Sequence, residues 1–152
     1  MRTKAIIVCD SVSHGNTRRI ADAMAEILHA EVRTPAQADP AELAAAELVG
    51  FGSGVFHGRM RPTLAALART LPTGPGRAFV FATSGFPEVP FAPFTRPLVR
   101  RLEAAGRHVE PAFSCRALDT WLPFRPFGGL HPDRPGPDDL AAARAYARGL
   151  RG

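Results

Sequence analysis

Residues 5–28 read AIIVCDSVSHGNTRRIADAMAEIL, and this stretch decides the fold. Ala5-Ile6-Ile7-Val8-Cys9 is a short continuous apolar run containing β-branched residues. Such a run, followed by polar and glycine-containing sequence, marks a strand buried on both faces, as in a parallel sheet. Over residues 17–29, Ile20, Ala23, Met24, Ile27 and Leu28 recur at helical spacing, which predicts an amphipathic helix. Strand, glycine loop and helix in succession open a βαβ unit.

The alternation continues along the chain. Ala30 to Thr34 is a weaker strand candidate, and Pro40 to Ala46 a short helix that Asp39 is placed to cap. Leu48-Val49-Gly50-Phe51-Gly52 reads as a second buried strand, followed by a glycine-rich loop from Gly52 to Gly58. Residues 62–71 form a helix that stops before Pro72. Ala78-Phe79-Val80-Phe81-Ala82-Thr83 is the clearest strand, and a proline-rich loop leads from it to a helix near 94–105, closed by Gly106. His108 to Ser114 is the fifth strand, with Pro111 suggesting a bulge or an edge position. A long loop, 115–136, precedes a last helix from Asp138 to Leu150. Five strands alternating with five helices predict a doubly wound α/β sandwich around a parallel sheet.

The bulk numbers agree with one domain spanning residues 1–152. The 152 residues are 45% hydrophobic and 22% charged, enough for one core and inconsistent with global disorder. The net charge is +5, nearly all of it from arginine. The arginines are scattered over helices without interleaved aromatics, so they read as solvated helix faces, with no nucleic-acid partner expected. The sign also suits a phosphate-bearing cofactor or an anionic redox partner. The two cysteines, Cys9 and Cys115, lack metal spacing and read as core or near-core residues, and no metal is expected. The N-terminal apolar run is too short for a signal sequence or a membrane span. The expected compartment is the cytoplasm, without membrane association.

Open α/β sheets bind ligands beyond the carboxyl ends of their strands, at the topological switch point. Three loops qualify. The first, Asp10 to Thr17, holds Ser11, Ser13, His14, Gly15, Asn16 and Thr17 and runs into a helix. Hydroxyls, successive backbone N–H groups and the helix start together suit a phosphate. The loop has neither the dinucleotide G-x-G-x-x-G pattern nor a Walker lysine. Ordinary helix capping is the plainer alternative, and it accounts for one hydroxyl better than for three. The second loop, Ser53-Gly54-Val55-Phe56-His57-Gly58, is open enough for backbone to approach a flat ligand, or is a tight glycine turn around a packed Phe. The third, Thr83-Ser84-Gly85-Phe86, offers hydroxyls, a glycine and an aromatic, and also reads as a plain turn.

SVSHGNTRRIADAMAEIL resembles the phosphate loop and first helix of the flavodoxin family, whose core pattern is Ser/Thr-x-Thr-Gly-x-Thr. GFGSGVFHGR resembles the family's second loop, and FVFATSG its fourth strand with the loop that follows. FSCRALDTW, a GG pair and HPDRPGPDDLAAARAYARGL resemble the closing region of a short-chain subgroup. The resemblance spans nearly the whole chain. It implies a flavodoxin-like doubly wound sandwich with a five-stranded parallel sheet in the order 2-1-3-4-5. It implies flavin mononucleotide (FMN) as cofactor. Ser11, Ser13, His14, Gly15, Asn16 and Thr17 would then hold the phosphate. Ser53, Gly54, Val55, Phe56, His57 and Gly58 would meet the ribityl chain and ring, and Thr83, Ser84, Gly85 and Phe86 the far side of the ring.

Two departures from the family pattern stand out. His14 replaces a hydroxyl, although an imidazole N–H still suits a phosphate. The family's familiar electron carriers are acidic and stack Trp or Tyr on the flavin, whereas this chain is basic with one Trp and one Tyr. Trp121, in the 115–136 loop, either covers the ring or packs the loop to the sheet, and Tyr146 reads as structural. No catalytic triad or paired carboxylates are evident, and His57 is expected to tune the flavin electrostatically. The implied function is electron transfer to or from a partner protein, acidic by charge complementarity, by a monomer or homodimer. Two alternatives stay open. One is an FMN-dependent NAD(P)H oxidoreductase acting on a quinone or small aromatic. The other is a flavodoxin-like domain that has lost its cofactor and binds something else.

Overall fold

The computed structural model describes residues 4–11, 16–56, 59–84, 94–116 and 137–151. In chain order the elements are β1 (Ala5–Asp10), α1 (Asn16–Leu28), β2 (Glu31–Arg33), α2 (Pro40–Ala45), β3 (Leu48–Phe56) and β4 (Arg59–Met60). They continue with α3 (Pro62–Arg69), β5 (Arg77–Ser84), α4 (Arg96–Ala104), β6 (His108–Val109), β7 (Phe113–Arg116) and α5 (Pro137–Arg151). The sheet runs β2-β1-β3-β5-β6, with β7 also on β5 and β4 on β3. Every pairing is parallel except the β3–β4 hairpin. The expected order is therefore present, with its fifth position shared by β6 and β7.

Side-chain alternation sends neighbouring residues of each strand to opposite layers. Ile7, Cys9, Phe79 and Phe81 bury against Ile20 and Met24 of α1 and Ala143 and Ala147 of α5. Ile6, Val8, Phe51 and Val80 bury against Leu43 of α2, Leu64 of α3 and Leu98 and Leu102 of α4. Helix α2 starts as its sequence dictates: Asp39 accepts from the Ala41 N–H at 3.0 Å, and Pro40 occupies the first turn.

Two expectations need correction. The loop placed at Gly52 to Gly58 is strand as far as Phe56. Ser53 and Gly54 stay in register with Ala82 and Thr83, and Val55 and Phe56 pair with Met60 and Arg59 of β4. Glycine weakens a strand interior, so the run reads as a loop by propensity. Here, however, Gly50 and Gly52 are required by the neighbouring strand. A Cβ on Gly50 would stand 2.3 Å from Phe79 Cζ, and one on Gly52 2.1 Å from Phe81 Cζ. The two rings lie across the glycines of β3, so Gly52 makes room for Phe81 and not for a ligand. The fifth strand, in turn, is two short pieces. Pro111 has no N–H for the ladder, and the stretch from Glu110 to Ala112 separates β6 from β7.

Candidate functional site

The carboxyl ends of β1, β3 and β5 lie side by side because their registers align. Asp10 is level with Ser53, and Gly54 with Thr83. This is the edge where the chain changes direction, since β1 is followed on one side by β2 and on the other by β3.

Thr17, in the first turn of α1, and Thr83, near the end of β5, are both nearly fully buried, and their Oγ1 atoms lie 2.7 Å apart. Either hydroxyl is placed to donate. Two hydroxyls carry two hydrogens and their mutual bond uses one, so the pair retains one O–H to give. Ser11 Oγ accepts from the Arg18 N–H at 3.3 Å, so this serine satisfies one first-turn N–H of α1 from five residues before the helix. Its own hydrogen is not used in that bond.

Ser53 is placed differently. It is fully buried, its hydroxyl donates to the Gly54 carbonyl at 2.8 Å, and its oxygen accepts from the Arg61 N–H at 3.0 Å. It pins the β3–β4 hairpin to the start of α3. Gly54 and Val55 are half-buried in β3. Asn16, Phe56 and Ser84 are placed by their backbone, at the start of α1, the end of β3 and the end of β5. Ser13, His14, Gly15, His57, Gly58, Gly85, Phe86 and Trp121 lie outside the described residues.

One cluster escaped the sequence reading. Asp10, the last residue of β1, receives the Thr63 hydroxyl and pairs with Arg61 Nε at 3.4 Å. With the Ser53–Arg61 bond this joins the ends of β1 and β3 to the start of α3. The available signal was a carboxylate directly at a strand's carboxyl end, which needs a partner when half-buried. Cys9, next to it, is buried, and desolvation pushes its thiol up to about 12. A thiol held protonated by burial is a poor nucleophile at neutral pH. Among the described residues no group of three His, Cys, Asp or Glu side chains is placed to hold a metal. No described helix is long and apolar enough to cross a membrane.

Fold and site edge together define a protein of flavodoxin-like architecture. The chain superposes on a flavodoxin from the domain Archaea with a TM-score of 0.74 at 18% identity, covering 97% of this chain and 96% of that one. For oxidised flavodoxin 2 from Bacillus cereus the TM-score is 0.72 at 17% identity, covering 98% of each chain. No protein-family model matches the sequence. The chain is 30% identical over 147 residues to the uncharacterized protein MJ0298 of Methanocaldococcus jannaschii, covering 97% of both, and belongs to the same family.

Proposed function

We propose that this chain binds FMN at the carboxyl edge of β1, β3 and β5 and carries electrons to or from a partner protein. The observation that carries the reading is the Thr17–Thr83 hydroxyl pair. It joins the start of α1 to the end of β5 and keeps an O–H for an anion beside the start of α1. A phosphate monoester held by neutral donors fits that chemistry. Ser11, Thr17 and the loop between them would hold the phosphate. The ends of β3 and β5 would flank the ring. FMN, when bound, supplies the redox chemistry, and the protein supplies orientation and access. The likeness in fold to proteins described as flavodoxins supports the same reading. Carriage is favoured over catalysis because the described residues of this edge present hydroxyls and an already paired carboxylate. Neither is arranged as a general acid or base.

The test is titration of flavin-free protein with FMN, read by quenching of flavin fluorescence and by the visible absorption band. Saturation at one FMN per chain is expected. Thr17→Ala should weaken binding about tenfold, the equivalent of one hydrogen bond to a charged group, and Thr17→Ser should restore it. The alanine variant also loses the bond to Thr83, so it should cost about 1 kcal/mol of stability as well. Absence of FMN uptake by the wild-type chain at millimolar flavin would refute the proposal.

A further inference from the structure

The charges of this molecule are unevenly divided between its two helical layers. From Leu48 to the end of α4 at Ala104 the sequence holds seven arginines and two acids, Glu88 and Glu103. Two of the arginines are committed: Arg77 to Glu110 at 3.1 Å and Arg61 to Asp10 at 3.4 Å. Arg59, Arg69, Arg96, Arg100 and Arg101 are exposed and form no ion pair with a carboxylate among the described residues. They fall on β4, α3 and α4. The helices α3 and α4 pack beside each other on one face of the sheet, with Leu64, Leu98 and Leu102 turned inward. On the opposite layer the charges are closer to balance: α1 and α5 carry five arginines against four acids, and Arg18 meets Asp22 at 3.0 Å and Arg144 meets Glu26 at 3.5 Å.

The placement of Arg96 argues that helix stability is not its role. It is the first residue of α4, whose first turn has no acidic residue. A cation there opposes the helix dipole, which favours negative charge at that end. Arg100 stands one turn further on, also exposed. An unfavourable position for the helix, repeated charge and no paired carboxylate among the described residues together point outward, to something that supplies the carboxylates.

We propose that the outer surface of α3 and α4, with Arg59 at its strand-end margin, docks an acidic protein. What passes across the contact rests on the FMN reading above. One electron would leave the iron of a reduced partner cluster and one would enter the flavin, with no bond made or broken. Protein is favoured over nucleic acid because the arginines lie on the outer side of a helix pair, without interleaved aromatics for base stacking. The face also adjoins the edge where FMN would sit, since α3 and α4 both start there.

The test uses the full chain and an acidic [2Fe–2S] ferredoxin as probe. Biolayer interferometry reads binding without any flavin, and stopped-flow absorbance reads reduction of FMN-loaded protein. The double variant Arg96→Glu with Arg100→Glu should weaken binding and slow reduction at least about tenfold at low salt, and flatten the salt dependence. The control, Arg148→Glu with Arg151→Glu on α5, carries the same charge change and should stay within about twofold, because α5 packs on the opposite side of the sheet. Both should take up FMN as the wild type does. Equal losses in the two variants, or binding indifferent to salt, overturn the proposal. Retention on duplex DNA that only the α4 variant loses, with ferredoxin binding unchanged, assigns the face to nucleic acid and overturns it too. A chain that takes no FMN but binds ferredoxin through α4 removes the flavin reading and upholds the docking face.

Discussion

Adding one methyl group to Gly52 places it 2.1 Å from Phe81 Cζ, deep inside van der Waals contact. Phe81 cannot retreat, because it is fully buried and stacks on Phe79 with ring centroids 6.0 Å apart. Gly52→Ala should therefore cost about 1–3 kcal/mol through overpacking, read as a lower urea midpoint with the slope unchanged. Pairing it with Phe81→Leu should recover part of the loss, and an unchanged midpoint in the single variant would show that β3 yields instead. This constraint was invisible in the sequence. Gly52 reads as a loop residue because glycine is a poor strand former, and the ring that needs it comes from another strand. Thr17 and Thr83 were both legible as candidate contacts, each in its own loop. That they bond to each other was not, since nothing local to either residue specifies the other.

At the scale of elements, local chemistry was the better guide. Asp39 before Pro40 announced the start of α2, and Gly106, at φ 87, closes the turn after α4. Pro111 announced an interruption in the edge strand, but not what stabilises it. The Tyr146 hydroxyl of α5 donates to the Pro111 carbonyl, and its ring packs on Phe113 with centroids 5.2 Å apart. The helix thus holds the carbonyl that the broken ladder leaves over. Tyr146→Phe should cost about 1 kcal/mol near neutral pH. Burial, with a smaller contribution from Glu110, raises the Tyr146 pKa above its ordinary value of 10.0. A raised pKa in the folded state means that the unfolded chain ionises first. This contribution is complete below about pH 10 and is lost as pH rises further. Denaturant melts across pH 8 to 12 should therefore show a falling alkaline limb that Tyr146→Phe makes shallower. The Cys9 thiol, raised to about 12, contributes a limb of the same sign from its ordinary value of 9.0 upward. An unaltered limb in Tyr146→Phe would show that the tyrosine is not the group being titrated.

For the whole molecule, the alternation of strands and helices was enough to specify a doubly wound sandwich, because parallel neighbours joined by right-handed crossovers leave few arrangements. The arginine-rich, acid-poor stretch is visible in the sequence, but that it forms one face of the molecule is not. Arg69, Arg96, Arg100 and Arg101 are drawn onto one face by the packing of α3 beside α4. The candidate site is likewise a property of the whole, since its parts come from the ends of β1, β3 and β5. A ligand bound there favours the folded chain over the unfolded one by mass action. At a hundredfold excess over its Kd, FMN should add about 2.7 kcal/mol, raising Tm by about 5–10 °C for a domain of this size. Riboflavin offers the same ring and ribityl chain without the phosphate. If the loop entering α1 is the anchor, riboflavin at equal concentration should raise Tm by much less. Thr17→Ala should then narrow the gap between the two ligands by lowering only the response to FMN. Equal shifts from both flavins would move the anchor from the phosphate loop to the ring contacts of β3 and β5.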